Sequence, residues 1–344
     1  MITQTLHDDI TLVEITNSLG ARVLLSSLGA GIVSLVVPDS QGRMADVVIG
    51  YDDIESYRGD GPCAGKIPGR FANRIAKGRF CLDGHEYSLA INNGPNALHG
   101  GPTGFQNRNW HTAEVTDNSV TFTYCSADGE EGYPGCLTAH VRYLWTDDCR
   151  LELQMWAEVE GKPTVINLTN HSYFNLGGHE KPSVLEHLLR LNASRWLPTD
   201  DSLIPLPEAP QPVAGTPMDF TSAKPLGRDI HADFPALRYG KGYDNCWLID
   251  RTADGLTEAA VLSDPASGRT LTVLTDQPAV QVYTGNWLDD SPVGKDGVRY
   301  RDYCAVAIEC QDCPDAPNRP DFPSTRLNPG DRYRRTIEFR FGHA

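Results

Sequence analysis

Hydrophobic and polar positions alternate in short runs along most of the chain. The first runs cover residues 10–15, 21–25 and 31–37, and turn-forming residues bound each of them. Runs of this length, rich in β-branched side chains and separated by glycine, are typical of strands. Alternation over residues 333–341 predicts one more strand near the C-terminus. Helical periodicity is scarce, and residues 183–190 fit a short helix or a strand equally well.

The spacing of these runs predicts the fold class. The 32 glycines and 24 prolines are spread along the chain, and strands recur about every ten residues. This regular spacing of short strands and turn residues predicts an all-β fold, built as a large antiparallel sandwich or barrel. No repeat of about 20 to 50 residues is visible, which disfavours propellers and solenoids. Because no low-complexity linker divides the chain, we expect one domain over residues 1–344.

The net charge and the cysteine content indicate which binding partners and which cellular compartment to expect. Thirty basic residues against forty-five acidic ones give a formal net charge of −15. An acidic surface of this kind disfavours nucleic acid and anionic membranes as partners. The N-terminus lacks the basic and apolar regions of a secretion signal, so we expect a cytoplasmic protein. The nine cysteines are an odd number without a disulfide framework, and we expect free thiols.

The most unusual segment is residues 166–178, in which a β-run becomes almost entirely polar or aromatic. It contains Asn170, His171, Tyr173 and Asn175, and it ends at two glycines. An imidazole exchanges protons near neutral pH, amides hydrogen-bond hydroxyl groups, and an aromatic ring offers an apolar face. A strand buried on both faces should be far more apolar, so the segment is interpreted as a binding surface.

Four further stretches share this character. Asn73 precedes Arg74, whose planar guanidinium suits paired oxygen acceptors. His99 precedes two glycines, where the backbone can approach a ligand closely, and Asp244 lies between aromatic residues. Glu309 follows a wholly apolar run, and partial desolvation there should raise the pKa of its carboxyl toward the range of a general base.

Sequence motifs for cofactors are not found. The glycine-rich stretch around Lys66 fails as a phosphate loop, because Asp60 stands where glycine is needed and Ile67 where serine or threonine is needed. No dinucleotide fingerprint and no zinc-protease motif occur. Cys310 and Cys313 form the only close thiol pair, with no second pair or histidine nearby. We therefore expect neither a cofactor nor a metal.

Many short motifs follow one another along the chain: Arg70-x-x-Asn73-Arg74-Ile75, Leu98-His99-Gly100-Gly101, Gly132-Tyr133-Pro134-Gly135, residues 167–176, Pro217-Met218-Asp219-Phe220, Gly242-Tyr243-Asp244, Tyr283-Thr284-Gly285-Asn286 and Glu309-x-Gln311-x-x-Pro314-Asp315. With these motifs in this order, the chain resembles the aldose 1-epimerases, also called galactose mutarotases, from about residue 20 to residue 341.

The resemblance implies a galactose mutarotase-like supersandwich that interconverts the α and β anomers of free aldoses without a cofactor. It makes Glu309 the base that removes the proton of the anomeric hydroxyl and His171 the acid that protonates the ring oxygen. His99 completes the expected catalytic set. Monosaccharide binding is expected from Asn73, Arg74, Asp244, Tyr173 and Gln311. The partner is then a small sugar, and the protein a monomer or homodimer.

One departure from the family and two alternatives remain open. Many relatives carry histidine where this chain has Asn245, which puts substrate preference in doubt. A hexose-6-phosphate epimerase on the same fold would need several basic side chains around a phosphate, and the motifs offer Arg74 and at most Arg70. A non-catalytic sugar-binding protein would need no acid–base pair.

Overall fold

The computed structural model describes residues 1–251 and 254–343, and strands dominate it. The strands are β1 (Ile2–His7), β2 (Ile10–Thr16), β3 (Arg22–Ser26), β4 (Gly31–Pro38), β5 (Met44–Asp46), β6 (Arg74–Ile75), β7 (Arg79–Leu82), β8 (His85–Ser88), β9 (Ala97–Leu98), β10 (His111–Val115), β11 (Ser119–Ser126), β12 (Cys136–Trp145), β13 (Arg150–Glu160), β14 (Thr164–Val165), β15 (Tyr173–Phe174), β16 (Leu188–Leu191), β17 (Arg195–Leu197), β18 (Gln211–Pro212), β19 (Lys224–Pro225), β20 (Asp244–Leu248), β21 (Thr257–Ser263), β22 (Arg269–Thr275), β23 (Ala279–Tyr283), β24 (Val306–Gln311), β25 (Arg326–Leu327) and β26 (Arg332–His343).

Helices are short. The α-helix α1 covers Pro235–Gly240, and 3-10 turns cover Ile54–Tyr57, Ala76–Gly78, Phe105–Asn107, Glu130–Gly132, Leu226–Arg228, Lys295–Gly297 and Ala316–Asn318. Within the described ranges, no helix is long and apolar enough to cross a membrane.

Side-chain alternation explains the longest strands. Along β12 every second residue is buried, from Leu137 to Trp145, and β13 repeats the pattern from Leu151 to Val159. Successive side chains of a strand point to opposite faces, so this period buries one face and leaves the other in contact with water. The strands predicted near the N-terminus and at residues 333–341 are present, and the antiparallel all-β prediction is confirmed.

Three large antiparallel sheets organise the molecule. Strands β1 to β5 form one sheet in sequence order, and nine strands form the second in the order β10-β11-β12-β13-β26-β22-β21-β16-β19. The third sheet has the order β15-β24-β23-β20-β17-β18. One hydrophobic cluster takes residues from all three sheets, for example Val23, Leu153 and Ile308. The sheets therefore share a core.

The six-stranded third sheet has two chemically different faces. Trp247, Val280 and Ile308 point into the shared core. The alternate residues of the same strands, which include Asp244 and Glu309, point away from it. This sheet carries two of the carboxylates that the sequence singled out, Asp244 and Glu309.

Two sequence interpretations change in the structure. In the ambiguous segment 183–190, a strand begins only at Leu188, and the preceding residues form turns. Residues 164–176 are buried throughout, so the polar segment around His171 is not an exposed surface. Only its ends are paired as strands, in β14 and β15.

Candidate active site

A cavity of about 740 Å³ opens over the polar face of the six-stranded sheet. Buried and half-buried residues from distant segments form part of its lining: Asn73, Arg74, His99, His171, Tyr173, Asp244, Tyr283 and Glu309. Exposed side chains at the same cavity include Trp287, Tyr239 and Asp201. The cavity thus joins a buried polar part to an open rim.

Strand register brings the polar groups of the sheet together. Gln281 of β23 pairs with Glu309 of β24, and Asp244 of β20 pairs with Tyr283 of β23. Residues two apart on one strand share a face, so Gln281 and Tyr283 lie on the same side of the sheet as Glu309. The site is therefore built on a continuous hydrogen-bonded sheet, which holds its carboxylates in place.

Glu309 and His171 approach each other inside the cavity. Nε2 of His171 lies 3.6 Å from Oε2 of Glu309, and the two residues are 5% and 2% exposed. Burial raises the pKa of Glu309 well above its ordinary range, and the negative charge of Asp244 adds to the effect. The sequence prediction of a raised carboxyl pKa is confirmed.

Burial also lowers the pKa of His171 to about 4. Both groups of the pair therefore prefer their neutral forms, so that the pair holds one exchangeable proton, on the carboxyl of Glu309. The ion pair of an ionised Glu309 and an imidazolium at His171 has the same total number of protons as the neutral pair. The two forms therefore differ only in which residue carries the proton. The pair is coupled, and its titration belongs to both residues together.

His99 is held differently from His171. Its Nδ1 accepts a hydrogen bond from the backbone N–H of Asn73 at 3.1 Å, which assigns the ring proton to Nε2. Burial lowers its pKa well below the ordinary value, and a protonated His171 and the positive charge of Arg74 add to this effect. The two imidazole rings lie 5.2 Å apart. His99 is thus a neutral N–H donor, whereas Nδ1 of His171 has no hydrogen-bond partner among the described residues, and its Nε2 faces Glu309.

Asp244 belongs to a polar network. Its Oδ2 lies 3.4 Å from Nη2 of Arg74, and its Oδ1 accepts a hydrogen bond from Gln281 at 2.6 Å. Nε of Arg74 donates to Asn93 at 3.0 Å. The network presents acceptors and donors side by side, as sugar hydroxyl groups require.

The sequence prediction missed Gln281 and Asn93. Gln281 is the one polar residue in the otherwise apolar centre of β23, the same signal that singled out Glu309 in β24. Asn93 lies in a loop next to a glycine, and nothing in its local sequence distinguishes it from an ordinary turn residue.

The remaining predicted binding residues have different positions. Tyr173 lines the cavity with its ring 5.0 Å from that of His171. Asn73 also lines it, although its amide oxygen already accepts the N–H of Arg74. Gln311 is fully buried and is not part of the lining. Asn245 has the opposite orientation to Asp244 on β20, so its side chain faces away from the cavity.

The asparagines of the segment around His171 have a structural role, contrary to the sequence interpretation. The amide of Asn167 donates to the carbonyl of Ala72, and the amide of Asn170 donates to that of Gly65. The amide of Asn175 donates to the carbonyl of Cys304 at 2.7 Å. These side chains satisfy buried backbone groups of distant segments, and only His171 and Tyr173 of the stretch reach the cavity.

Arg70 and the close thiol pair lie outside the cavity. The guanidinium of Arg70 is buried and donates to Pro134, Ser126 and their neighbours. Cys310 and Cys313 belong to two different hydrophobic clusters, so their thiols do not converge. All nine cysteines are free.

Comparison with known proteins adds an independent result. The family described as Aldose 1-epimerase matches residues 11–340. A galactose mutarotase from Bos taurus is 43% identical over 94% of this chain and 92% of its own length. The aldose 1-epimerase of Escherichia coli (strain K12) is 38% identical over 96% of this chain and 94% of its own length.

Solved structures agree with the sequence comparison. The structure of an aldose epimerase homologue from C. elegans superposes with a TM-score of 0.89 at 32% identity, and the match covers 97% of this chain and 99% of that one. The predicted resemblance and the predicted mutarotase-like β-sandwich are both confirmed.

Proposed function

The chain belongs to the aldose 1-epimerase family, and on that premise we propose that it interconverts the α and β anomers of a free aldohexose such as galactose or glucose by acid–base catalysis. The observation that carries the proposal is the approach of Glu309 and His171 within one polar cavity. The protein is an isomerase, and its ligand is a monosaccharide.

Ring opening needs two proton transfers, one at each of the two oxygens bonded to C1. A proton leaves O1 while another reaches O5, and both oxygens are bonded to C1. A base and an acid that serve them must therefore lie close together, as Oε2 of Glu309 and Nε2 of His171 do. In our assignment Glu309 takes the proton of O1 and His171 gives one to O5.

Closure repeats the transfers in reverse. The open-chain aldehyde turns by roughly half a turn about the C1–C2 bond. Glu309 then returns its proton to the carbonyl oxygen, and His171 takes a proton from the O5 hydroxyl. The enzyme ends with the proton distribution it started with, so no external acid, base or redox partner enters the balance.

Neighbouring groups hold the sugar in this scheme. Asp244 and Arg74 offer acceptors and donors to hydroxyl groups, Gln281 holds Asp244 from outside the lining, and the neutral His99 offers an N–H donor. Because Nδ1 of His99 is already an acceptor, His99 is poorly placed to act as an imidazolium acid. This supports His171 as the proton donor.

The phosphate alternative finds little support in the cavity. Among the described residues that line it, Arg74 is the only arginine or lysine. The guanidinium of Arg70 lies outside the cavity and donates its hydrogen bonds to backbone carbonyl groups such as that of Pro134. A phosphate dianion would be left largely unpaired. A non-catalytic role is disfavoured because it gives no use for a buried carboxyl beside a buried imidazole.

The test is polarimetry with fresh α-anomers of galactose, glucose, arabinose and xylose, each corrected for spontaneous mutarotation. We expect catalysis on the free aldoses and little on glucose 6-phosphate. Faster turnover of the phosphate ester, or binding of free sugars without catalysis, would contradict the proposal.

A further inference from the structure

A buried ion pair lies directly behind the cavity wall. Residues 60–66, here named the 60–66 loop, carry Asp60 at one end and Lys66 at the other, and the two side chains pair with each other at exposures of 0% and 1%. Between them, Gly61, Pro62 and Cys63 line the cavity. Neither charged residue reaches the cavity itself.

Lys66 is held on all sides. Besides Asp60, its ammonium donates to the carbonyl oxygen of Tyr57 at 2.6 Å and to Oδ1 of Asn107 at 3.2 Å. Its aliphatic stem lies against two glycines: a Cβ at Gly29 would come within 2.8 Å of Cδ, and one at Gly31 within 3.2 Å of Cγ. The fold has made room for this side chain.

The 60–66 loop is tied by hydrogen bonds to the segment that carries His171. The N–H of His171 donates to the carbonyl of Lys66 at 2.9 Å, and the N–H of Gly65 donates to the carbonyl of His171 at 3.0 Å. Oη of Tyr173 donates to the carbonyl of Pro62 at 2.9 Å. Gly65 has φ +73, and a Cβ there would lie 2.0 Å from the carbonyl oxygen of Ile32, so the loop has little freedom to move.

Asp60 fixes the other end of the loop. Its Oδ2 accepts the backbone N–H of Ala64 at 2.9 Å and the hydroxyl of Tyr51 at 3.3 Å. The ion pair therefore closes the loop at its base, while the loop's carbonyl and N–H groups hold His171 and Tyr173.

We propose that Lys66, paired with Asp60, is a positioning residue for the proposed epimerase reaction. Through the 60–66 loop it fixes the backbone position of His171, and its ammonium places a positive charge behind the imidazole ring. The proposal rests on the proposed function. Stability alone is a weak reason for such a pair, since well-packed apolar residues often replace a buried ion pair without loss. A catalytic site, by contrast, is sensitive to small displacements of the acid.

The charge of Lys66 acts on His171 together with the groups that face the imidazole. These groups are Glu309 at 3.6 Å, the rings of His99, Tyr173 and Tyr283, and the carboxylate of Asp244. Lys66 disfavours the imidazolium and helps to lower the pKa of His171, whereas Asp244 opposes it. Removal of the lysine charge should therefore let His171 take up a proton at higher pH.

The experiment compares Lys66→Met with Lys224→Met. Lys224 is a control because it is also buried and is paired with a more exposed carboxylate, Asp229, at 2.8 Å, but it lies outside the cavity lining. We expect Lys66→Met to lower kcat on galactose by about 10- to 100-fold with a smaller change in KM. Its acid limb in the pH profile of kcat/KM should move to higher pH, and Lys224→Met should change neither quantity.

A double variant, Asp60→Asn with Lys66→Met, leaves no unpaired buried charge and keeps the test usable if the single variant does not fold. It should show the same loss of kcat, and its acid limb should move in the same direction but by less, because the opposing charge of Asp60 is removed as well. Unchanged kcat and an unshifted limb in a folded variant would overturn the proposal. If the wild-type protein itself does not catalyse mutarotation, the proposed function is wrong, and the inference about Lys66 fails with it. If only the Lys66 variants behave like wild type, the inference fails and the proposed function stands.

Discussion

Burial decides the proton chemistry at the residue scale. Glu309 lies in an apolar strand and His171 in a buried loop, and both lose the solvation that their charged forms need. The carboxyl becomes a stronger base and the imidazole a stronger acid than in water. This direction of change suits a reaction in which a weakly acidic hydroxyl must lose a proton and an ether oxygen must gain one.

Replacement of Glu309 by glutamine should separate binding from catalysis. The amide keeps the shape and most hydrogen bonds but removes the basic oxygen, so kcat should fall by about 10² to 10⁴. Glu338→Gln is a control, because Glu338 is equally buried and pairs with Arg150 away from the cavity. Polarimetry of both purified variants measures the difference, and near wild-type mutarotation by Glu309→Gln would remove Glu309 from the mechanism.

The two histidines should respond differently to asparagine. His171→Asn can still hydrogen-bond the ring oxygen but cannot deliver a proton, so it should lower kcat more than it raises KM. His99→Asn loses one neutral donor and should have a smaller effect on kcat. If kcat on the same sugar falls further in His99→Asn than in His171→Asn, the acid assignment is reversed.

The pH dependence should follow a bell. At low pH His171, with its pKa of about 4, takes up a second proton while Glu309 is already protonated. Activity then falls because no ionised carboxylate is left to act as the base. At high pH the pair loses its only proton at the raised pKa of Glu309, and the acid is lost. A profile of kcat/KM that stays flat through the acid range would contradict this order of titration.

At the scale of elements, Asn167 joins three segments near the site. Its amide donates to Ala72, and the backbone of Asp312, just beyond β24, donates to its Oδ1 at 2.9 Å. Asn167 therefore holds the segment that leads to His171 against the strand that carries Glu309. The side chain is fully buried.

Asn167→Ala should destabilise the fold, since it leaves buried backbone groups unsatisfied. We expect a loss of about 1 to 3 kcal/mol in the free energy of unfolding, measured with urea. Asn118→Ala is the matched control, because Asn118 is exposed. Equal stability of the two variants would show that the amide of Asn167 is not needed to join these segments.

At the scale of the whole molecule, we propose that the chain unfolds as one unit. The shared hydrophobic cluster extends from Val13 of β2 to Phe341 of β26, and β26 lies between β13 and β22 in the large sheet. Loss of the C-terminal strand would thus split that sheet. Calorimetry should give one transition with equal calorimetric and van't Hoff enthalpies, and two resolved transitions would contradict a single domain.

The sequence by itself determined the fold class and the family, and it indicated the main candidates for the site. Alternation with a period of two is imposed by strand geometry, so it is readable without a structure, as in residues 333–341. A charged residue in an apolar strand is equally visible, and it identified Glu309. Family motifs then indicated His171, His99, Arg74 and Asp244, all of which line one cavity.

Only the tertiary structure decided which polar groups face the cavity and which hold the fold together. Asn170 and Asn175 look like ligands in the sequence, yet their partners are backbone carbonyls of Gly65 and Cys304, far away along the chain. Gln281 and the Lys66–Asp60 pair likewise owe their partners to strand pairing and burial. The physical reason is that an amide or an ammonium has the same chemistry in every sequence context, whereas its partner and its solvation are set by segments that meet only after folding.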